Sequence, residues 1–266
     1  MNMQPLYIIK IGGNIINDDE QLKKFISEVS TIKARKIIVH GGGKLADDLA
    51  LKLGIQQKMI DGRRVTDANT LQLITMVYAG LINKNIVALL QSNSNNAIGL
   101  SGADNNCIQA KKRINATHDF GFVGDIIEGG INTSFISSLV KSFIVPVFCS
   151  ITHDNNGQLF NTNADTLASA LSMAMATQYE VHLNYCFEKK GVMKNIEDEN
   201  SVIPNISASD YELLIRNNVV SQGMIPKLDN GFNAVKNGVT TVAILHANAI
   251  LNITKKIKNE GTYLTL

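Results

Sequence analysis

Short apolar runs along the chain alternate with longer segments in which apolar residues recur at helical spacing. Runs of Ile, Val, Tyr and Phe predict β-strands, whereas apolar positions three or four residues apart predict helices. The predicted strands, in chain order, are YIIKI, KIIVH, NAIGL, SFIVPVFCS, YEVHLNY and TTVAIL. The predicted helices cover residues 21–31, 44–53 and 164–175.

The predicted strands show little of the polar alternation that a sheet with one face in water requires. Runs such as IIVH and IVPVF are apolar at successive positions, which is typical of strands that helices cover on both faces. Together with the alternation of strands and helices, these runs predict an α/β protein. Its architecture is expected to be a three-layer αβα sandwich around a central, mainly parallel, open sheet.

Two features subdivide this architecture. Between residues 102 and 130 the segments CIQAKK and GFVGDIIEG predict short antiparallel hairpins attached to the main layer. After residue 177 the strand YEVHLNY starts a second run of strands and helices, and no Pro- or Ser-rich linker precedes it. We therefore predict two lobes that share one sheet, formed by residues 1–177 and 178–266.

Composition and charge narrow the classes of partner. The chain has 266 residues, of which 45% are hydrophobic and 18% charged, and its net charge of +2 is too small to indicate nucleic-acid or membrane binding. No signal-peptide pattern or apolar run of membrane-spanning length is predicted. Cys107, Cys149 and Cys186 lie in strand-like surroundings, which favours buried thiols over disulfides or metal ligands. We expect a cytoplasmic protein.

Glycines follow two consecutive predicted strands, in IKIGGN and IVHGGGK. Without a Cβ, these loops let backbone N–H groups approach an anion closely, and the helix that follows adds partial positive charge. In an open parallel sheet both loops face the crevice at the carboxyl ends of the strands. A tight turn is the alternative for either loop alone. Neither GxGxxG nor GxxxxGK[ST] is present, so a different phosphate-binding arrangement is implied.

Two lysines occupy unusual positions. Lys10 interrupts an apolar strand, where it must either reach solvent at the strand end or meet an anion. Lys227 follows Pro226, a residue suited to the first turn of a helix, so it is predicted at the positive end of a helix dipole. A bound phosphate would make that position favourable. A solvated surface lysine is the alternative in both cases.

The segment NTNAD supplies polar groups that could organise a site. Asn161, Asn163 and Asp165 alternate up to the start of a predicted helix, which would aim the three side chains towards one place. Helix capping and dipole complementarity alone would explain Asp165. In DGRRVTD, Arg64 can grip a carboxylate with its planar fork, while Arg63 would point to the opposite face of a strand.

Eight motifs together resemble those of the N-acetylglutamate kinases, a branch of the amino acid kinase family. They are IIKIGGN, IVHGGGK, DGRRVTD, LINKN, GLSGAD, GFVGD, NTNAD and GMIPKL, and they span essentially the whole chain. The resemblance implies the amino acid kinase fold and an activity in arginine biosynthesis, the transfer of the γ-phosphoryl group of ATP to the side-chain carboxylate of N-acetyl-L-glutamate. Because a carboxylate is already a nucleophile, that reaction needs positioning and charge stabilisation rather than a general base.

The resemblance also implies roles for individual residues in the transfer itself. Lys10 and Lys227 would flank the phosphoryl group, and Asp165 would fix both ammonium groups. Gly13 and Gly42 would donate backbone N–H groups to phosphoryl oxygens. No catalytic histidine or cysteine is needed.

The remaining implied contacts concern the substrate, the nucleotide and the metal. The acyl-glutamate would be held by Gly42, Gly43, Arg64 and Asn161, with Asn163 beside them. Gly12 and Lys227 would contact the nucleotide, and other ATP contacts would lie within residues 184–193. Mg²⁺ would be carried mainly by the ATP phosphates, since no carboxylate cluster of the sequence resembles a metal cage. His40 is expected to pack or form hydrogen bonds.

Two departures from the family pattern affect these expectations. The strand that opens the second lobe usually runs into a Ser/Thr-Asp-Val segment, whereas here it reads HLNYCFEKKGVMKN. Base and ribose contacts are therefore unassigned. Lys189 and Lys190 are predicted to lie in a solvated turn, and approach to the ATP phosphates is the alternative. Arginine-inhibited relatives carry an extra N-terminal helix, but only residues 1–5 precede the first strand here. We expect a homodimer without arginine inhibition.

Two alternatives stay open from the sequence. The acyl group could be succinyl rather than acetyl, with Arg63 or Lys58 as candidate partners for the additional carboxylate. A noncatalytic protein of the same fold that binds a nucleotide or an amino acid is the alternative from another functional class. The presence of Lys10, Asp165 and Lys227 argues against that second alternative.

Overall fold

A computed structural model provides the structure of the chain. It describes residues 3–60, 63–195, 197–217, 219–220, 224–255 and 260–266. Asp61 and Gly62 of the DGRRVTD motif and Gly223 of the GMIPKL motif therefore lie outside the described residues. Every other residue to which the sequence assigns a candidate role is described.

The strands of the described residues agree closely with the apolar runs. They are β1 (Pro5–Ile11), β2 (Arg35–His40), β3 (Lys58–Ile60), β4 (Arg63–Val65), β5 (Ala97–Leu100), β6 (Ile108–Lys112), β7 (Gly124–Ile131), β8 (Val145–Cys149), β9 (Ile151–His153), β10 (Leu159–Asn161), β11 (Glu180–Phe187), β12 (Asn205–Ser207), β13 (Thr241–His246) and β14 (Thr262–Thr265). Each of the six predicted strands is present.

The helices also include each predicted one. The α-helices are α1 (Gly13–Ile16), α2 (Asp19–Thr31), α3 (Gly43–Lys52), α4 (Ala68–Thr75), α5 (Asn83–Ser92), α6 (Thr133–Lys141), α7 (Ala164–Met175), α8 (Ala208–Arg216) and α9 (Ile225–Lys236). A π-helical segment, Met76–Ile82, joins α4 to α5, and short 3₁₀ segments cover Asp104–Asn106 and Ala247–Lys255. Pro226 occupies the first turn of α9, as predicted.

Within the described part of the chain, eight strands form the central sheet, in the order β12-β14-β13-β11-β1-β2-β8-β5. All neighbouring pairs run parallel except β13 and β14. The predicted antiparallel pairing of CIQAKK with GFVGDIIEG is confirmed as the β6–β7 pair of a four-stranded sheet, β10-β9-β6-β7. A separate hairpin pairs β3 with β4. The α/β class and the mainly parallel sheet are confirmed.

Helices cover both faces of the central sheet and enclose two apolar cores. Along β1, Ile9 and Ile11 pack into one core, whereas Leu6 and Ile8 pack into the other. The first core also contains residues of α2 and α5, and the second contains residues of α6, α7 and α9. Burial on both faces explains why the strands lack polar alternation. Because β11 pairs directly with β1, the segments before and after residue 177 contribute to one sheet. Their division into two lobes stays a prediction.

The helical stretch Ala68–Ser92 corrects one expectation. It runs for 25 residues with a mean hydropathy of 1.6 in its most apolar part, so its length and composition suffice to cross a membrane. The expectation that no apolar run reaches such a length is therefore wrong. Within the fold, however, Leu73, Ile74, Ile86 and Leu90 are fully buried in the first core. The stretch is a core helix, whose apolar face packs against the sheet.

Candidate functional site

The register of the central sheet brings several strand ends to one level. Ile11 at the end of β1 lies opposite His40 at the end of β2 and opposite Cys186 near the end of β11. His40 in turn lies opposite Cys149, the last residue of β8. The loops that follow these strands therefore meet at one edge, where ligands of open parallel sheets bind.

The glycines after β1 and β2 lead directly into helices. Gly13 is the first residue of α1, and Gly43 is the first residue of α3. Gly42 precedes α3 with a φ of +157°, and a Cβ at that position would clash with Ile82 and Tyr78. The N–H groups of the first helical residues have no partner within their own helix. The two loops thus present backbone donors at the sheet edge.

Gly12 packs closely against β11. Its N–H donates a hydrogen bond to the Cys186 carbonyl at 2.8 Å. A Cβ on Gly12 would lie 3.0 Å from the Cβ of Phe187. The absence of a side chain therefore lets the loop after β1 approach β11, and the N–H of Gly12 is already engaged. The predicted nucleotide contact of Gly12 stays a prediction.

Lys10, Asp165 and Lys227 form a charged triad at this edge. Lys10 Nζ lies 2.8 Å from Asp165 Oδ1 as an ion pair, and Lys227 Nζ donates a hydrogen bond to Oδ2, also at 2.8 Å. The three side chains are only 13%, 16% and 10% exposed, respectively. One carboxylate on α7 thus bridges a lysine of β1 and a lysine of α9. Neither lysine is a solvated surface residue.

The triad contains two positively charged groups and one negatively charged group. Burial alone would raise the pKa of Asp165, but the charges of Lys10 and Lys227 outweigh that effect and hold the pKa well below its usual range. Burial lowers the pKa of Lys227, and the Asp165 charge opposes this shift. The Lys227 ammonium also lies 5.0 Å from the centre of the Tyr185 ring. A single carboxylate therefore neutralises one of the two positive charges.

Arg64 is held in place by hydrogen bonds to several neighbouring groups. Its Nη1 donates hydrogen bonds to Asp47 and Gln57, and its Nη2 donates to the Gly43 carbonyl at 3.3 Å. The side chain is 8% exposed. The Gly43 contact joins the arginine directly to the second glycine loop. Sequence reasoning identified Arg64 but not Asp47 or Gln57, which lie 17 and 7 residues away along the chain.

Asn161 and Asn163 have different partners from the triad. Asn161 Nδ2 donates to Thr66 Oγ1 at 3.0 Å. Asn163 Oδ1 caps α7 by accepting the N–H groups of Asp165 and Thr166 at 2.9 and 3.0 Å. The alternating residues of NTNAD therefore engage three separate groups. Capping, which the sequence suggested for Asp165, is performed by Asn163.

His40 contacts the second glycine loop through hydrogen bonds at the end of β2. Its Nε2 lies 3.1 Å from Asn83 Nδ2, and the same amide nitrogen donates to the Val147 carbonyl at 2.9 Å. Because Nε2 accepts from Asn83, Nδ1 carries the proton and donates it to the Gly41 carbonyl at 2.8 Å. Burial lowers the pKa of His40 to about 4, so the ring is neutral near pH 7. The predicted hydrogen-bonding role is confirmed.

Residues 184–193 divide into a buried part and an exposed turn. Asn184 lies inside β11, where its side chain donates to the His182 carbonyl at 3.0 Å. Lys190 pairs with Glu199 at 3.0 Å on the surface, as expected of a solvated turn. Nucleotide contacts in this segment stay a prediction. Among the described residues, no group of three or more His, Cys, Asp or Glu side chains is arranged to hold a metal ion.

Comparisons with known proteins agree with this arrangement. Residues 5–246 match the model of the amino acid kinase family. An acetylglutamate kinase from Cytophaga hutchinsonii is 49% identical over 263 residues, which cover 98% of this chain and 99% of the relative. An acetylglutamate kinase from Phocaeicola vulgatus is 47% identical over 247 residues, covering 93% and 95% of the two chains.

A solved structure extends the comparison to the fold alone. The N-acetylglutamate synthase from Neisseria gonorrhoeae, complexed with coenzyme A and N-acetyl-glutamate, superimposes with a TM-score of 0.81 at 19% identity. The match covers all of this chain and 60% of that one. The sheet order, the matched family model and the two relatives lead to one conclusion. The chain belongs to the amino acid kinase family.

Proposed function

We propose that this protein is an acetylglutamate kinase. It transfers the γ-phosphoryl group of ATP to the side-chain carboxylate of N-acetyl-L-glutamate, giving N-acetyl-L-glutamyl 5-phosphate in arginine biosynthesis. The observation that carries the proposal is the pair of ammonium groups, Lys10 and Lys227, fixed 2.8 Å from the two oxygens of Asp165 beside two glycine loops. Membership of the amino acid kinase family supports the use of ATP.

The chemistry follows from the charges. The acceptor carboxylate attacks the γ-phosphorus as it stands, so the protein positions two anions rather than removing a proton. Lys10 and Lys227 neutralise the charge on the transferring group, and Asp165 holds both in place. A preorganised donor at a developing charge contributes roughly 3 kcal/mol. Gly13 and Gly42 donate backbone N–H groups to the phosphoryl oxygens.

The second glycine loop and its neighbours hold the acyl-glutamate. Arg64 offers its planar guanidinium to the α-carboxylate, and its position is already fixed by Asp47 and Gln57. Gly43 contacts the same guanidinium through its carbonyl. The proposed substrate ligands are Gly42, Gly43, Arg64 and Asn161, with Asn163 beside them. Because Arg64 is held in advance, little side-chain entropy is lost when the substrate binds.

The finer parts of the proposal concern the cofactors and the assembly. Mg²⁺ would be held mainly by the phosphates of ATP. Gly12 and Lys227 contact the nucleotide, with further contacts within residues 184–193. Residues 1–177 form the lobe for acyl-glutamate binding and dimerisation, and residues 178–266 form the ATP lobe. The enzyme is a cytoplasmic homodimer.

The kinase activity is tested by trapping the acyl phosphate with hydroxylamine. Purified protein is incubated with ATP, Mg²⁺ and N-acetyl-, N-succinyl- or free L-glutamate, and the hydroxamate is measured. We expect product from N-acetyl-L-glutamate and none from free glutamate. A preference for the N-succinyl substrate would contradict the proposal that the acyl group is acetyl. If neither acylated substrate gave product, the proposed kinase activity would be wrong and a noncatalytic binding protein would be supported.

A matched pair of variants links that activity to the triad. Lys227→Met removes one ammonium group and should lower kcat by about 10²-fold or more. Lys236→Met removes a lysine from the last turn of the same helix, α9, and should leave kcat unchanged. Light scattering tests the assembly: we expect twice the chain mass of 29.0 kDa. A hexamer would contradict the proposed homodimer, and strong inhibition by arginine would contradict the expectation that the enzyme lacks this inhibition.

A further inference from the structure

Two aromatic side chains of β11 lie against the ammonium group of Lys227. Its Nζ is 5.0 Å from the centre of the Tyr185 ring and 5.9 Å from the centre of the Phe187 ring. A cation within about 6 Å of a ring centre is attracted to the face of that ring. Residues two apart on a strand project to the same side of the sheet, so the two rings form one surface beside the lysine. We call Tyr185 and Phe187 the aromatic pair.

Tyr185 is placed beside the other two residues of the triad as well. It lies opposite Lys10 in the parallel register of β11 and β1. Its hydroxyl donates a hydrogen bond to the backbone carbonyl of Asp165 at 3.2 Å. The side chain is fully buried, and burial together with the Asp165 charge raises the pKa of the hydroxyl well above its usual range, so the group stays a neutral donor. One residue of β11 thus contacts Asp165 and Lys227 and is the strand neighbour of Lys10.

Phe187 can occupy its position because Gly12 has no side chain. A Cβ on Gly12 would lie only 3.0 Å from the Cβ of Phe187. The N–H of Gly12 donates to the carbonyl of Cys186, the residue between the two aromatic residues in the chain, at 2.8 Å. The loop after β1 therefore packs directly against the aromatic pair, and any larger residue at position 12 would displace Phe187.

An aromatic surface suits a buried lysine that must keep its positive charge. Asp165 accepts one of the three protons of the Lys227 ammonium. A second carboxylate beside the lysine would cancel the net positive charge of the triad, whereas a ring face attracts the ammonium and carries no formal charge. Burial lowers the pKa of Lys227, and the attraction to the rings opposes that shift. The aromatic pair thus stabilises the ammonium and leaves its charge available to an incoming anion.

We propose that Tyr185, supported by Phe187, is a positioning residue for phosphoryl transfer, and that it acts by holding the charged ammonium group of Lys227 in place. This inference rests on the proposed kinase function and extends it to a residue without an assigned role. Tyr185 is fully buried, so it acts through Lys227 rather than by touching the substrate or the nucleotide. The aromatic residues of LNYCF, where the chain departs from the family pattern, thereby have a role in the site.

Nuclear magnetic resonance of lysine ¹³Cε groups tests the contact in the ligand-free protein. The Lys227 signal is assigned by its loss in Lys227→Met, and the pKa of Lys227 is measured by pH titration in wild type, Tyr185→Leu and Tyr185→Phe. Leucine keeps an apolar side chain but removes the ring face, so the pKa should fall by about one unit. Phenylalanine keeps the ring and should leave the pKa near its wild-type value.

The direction of the shift separates the proposed role from a simple loss of packing. The charges of Asp165, Lys10 and Glu188 also act on the pKa of Lys227, and all three stay in Tyr185→Leu. Water that entered the space left by the ring would reduce the effect of burial and raise the pKa towards its usual value. A fall in the pKa therefore reports the loss of the ring face itself.

Steady-state kinetics in the hydroxamate assay test the consequence for phosphoryl transfer. Tyr185→Leu should lower kcat by about tenfold or more and leave KM for N-acetyl-L-glutamate near its wild-type value, because a displaced cation no longer stabilises the transition state. Tyr185→Phe should retain most of the activity. Phe148→Leu is the matched control: Phe148 is fully buried in the same core, on β8, which β2 and β1 separate from β11. It should change neither kcat nor the pKa of Lys227.

A second variant keeps the inference open to refutation if Tyr185→Leu does not fold. Phe187→Leu removes the more distant ring and should lower the pKa of Lys227 by a smaller amount. An unchanged or raised pKa in Tyr185→Leu, or in Phe187→Leu where the first variant does not fold, would overturn the inference, and so would an unchanged kcat. Absence of hydroxamate from the wild type would instead overturn the proposed kinase function, and this inference with it, even if the pKa falls as expected.

Discussion

Replacing Asp165 with asparagine would separate the two functions of the triad, charge neutralisation and positioning. The substitution keeps the size of the side chain but removes its charge. Lys10 and Lys227, each now 2.8 Å from a carboxylate oxygen, would face each other without a counterion. We therefore expect Asp165→Asn to destabilise the ligand-free protein and to lower kcat.

The magnitude follows from the burial of the three side chains. Removing one partner of a buried ion pair costs about 3–5 kcal/mol. The triad is only 10–16% exposed, so solvent screens it little. We expect about 3 kcal/mol, the lower end, because the asparagine oxygen still accepts a hydrogen bond. For a chain of this size that loss corresponds to a Tm lower by about 6–12 °C.

The pH dependence gives a second signature. Burial raises the pKa of Asp165 but the two lysines outweigh it, so the folded-state pKa lies below the value of the unfolded chain, about 3.9. The stability that Asp165 provides is therefore complete above about pH 4 and is lost as the pH falls further. Asparagine does not titrate. The difference in Tm between wild type and Asp165→Asn should consequently narrow below pH 4.

Thermal unfolding and the hydroxamate assay together test this reasoning. A nonhydrolysable ATP analogue should raise the Tm of Asp165→Asn more than that of wild type, because its phosphate replaces the missing negative charge. kcat should fall by about 10²-fold or more. Asp48→Asn, an exposed change on α3, is the matched control and should alter neither quantity. An unchanged Tm together with an unchanged kcat would refute the role of Asp165.

Three further predictions concern the second glycine loop and its surroundings. Arg64→Lys keeps the charge but loses the planar fork, so steady-state kinetics should show a KM for N-acetyl-L-glutamate about tenfold higher or more, with KM for ATP near its wild-type value. Arg63→Lys, the same substitution at the exposed neighbouring residue, is the control and should change neither KM. Gly42→Ala places a Cβ against Tyr78, so phosphoryl transfer measured by hydroxamate formation should fall even where circular dichroism shows an intact fold. Burial lowers the pKa of His40 to about 4, so the free energy of unfolding of the wild type should fall by about 3 kcal/mol as the pH falls from 6.5 to 4. In His40→Asn, the free energy of unfolding measured in urea should depend less on pH over this range.

The fold was predictable because the sheet is buried on both faces. The apolar positions of β1 and β2 leave no solvent-facing side, and this pattern by itself favours a parallel sheet between helical layers. Lys10 was identifiable for the same reason, since a lone charge stands out in such a strand. Lys227 was identifiable from the proline that precedes it in α9.

The partners of the site residues were less predictable because they come from distant parts of the chain. Asn83, whose amide contacts His40, lies 43 residues away along the sequence and inside a long helix that the apolar pattern did not identify. The N–H of Gly12 binds a strand that begins more than 160 residues later. The side chain of Asn163 caps α7 rather than pointing at the triad. Its direction is set by the local backbone conformation at the start of the helix. Periodicity carries no information about such contacts.

The charge balance of the triad explains why a carboxylate lies between the two lysines that we propose to act in phosphoryl transfer. Two ammonium groups and one carboxylate leave one net positive charge, and the N-terminus of α9, where Lys227 lies, adds partial positive charge. Without Asp165 the site would attract anions more strongly, but the lysines would repel each other and lose their fixed positions. Stronger attraction would stabilise bound ATP and the transition state alike, which does not raise kcat. In the proposed reaction Asp165 therefore gives up some affinity for the ground state, and the fixed lysines favour the transition state selectively.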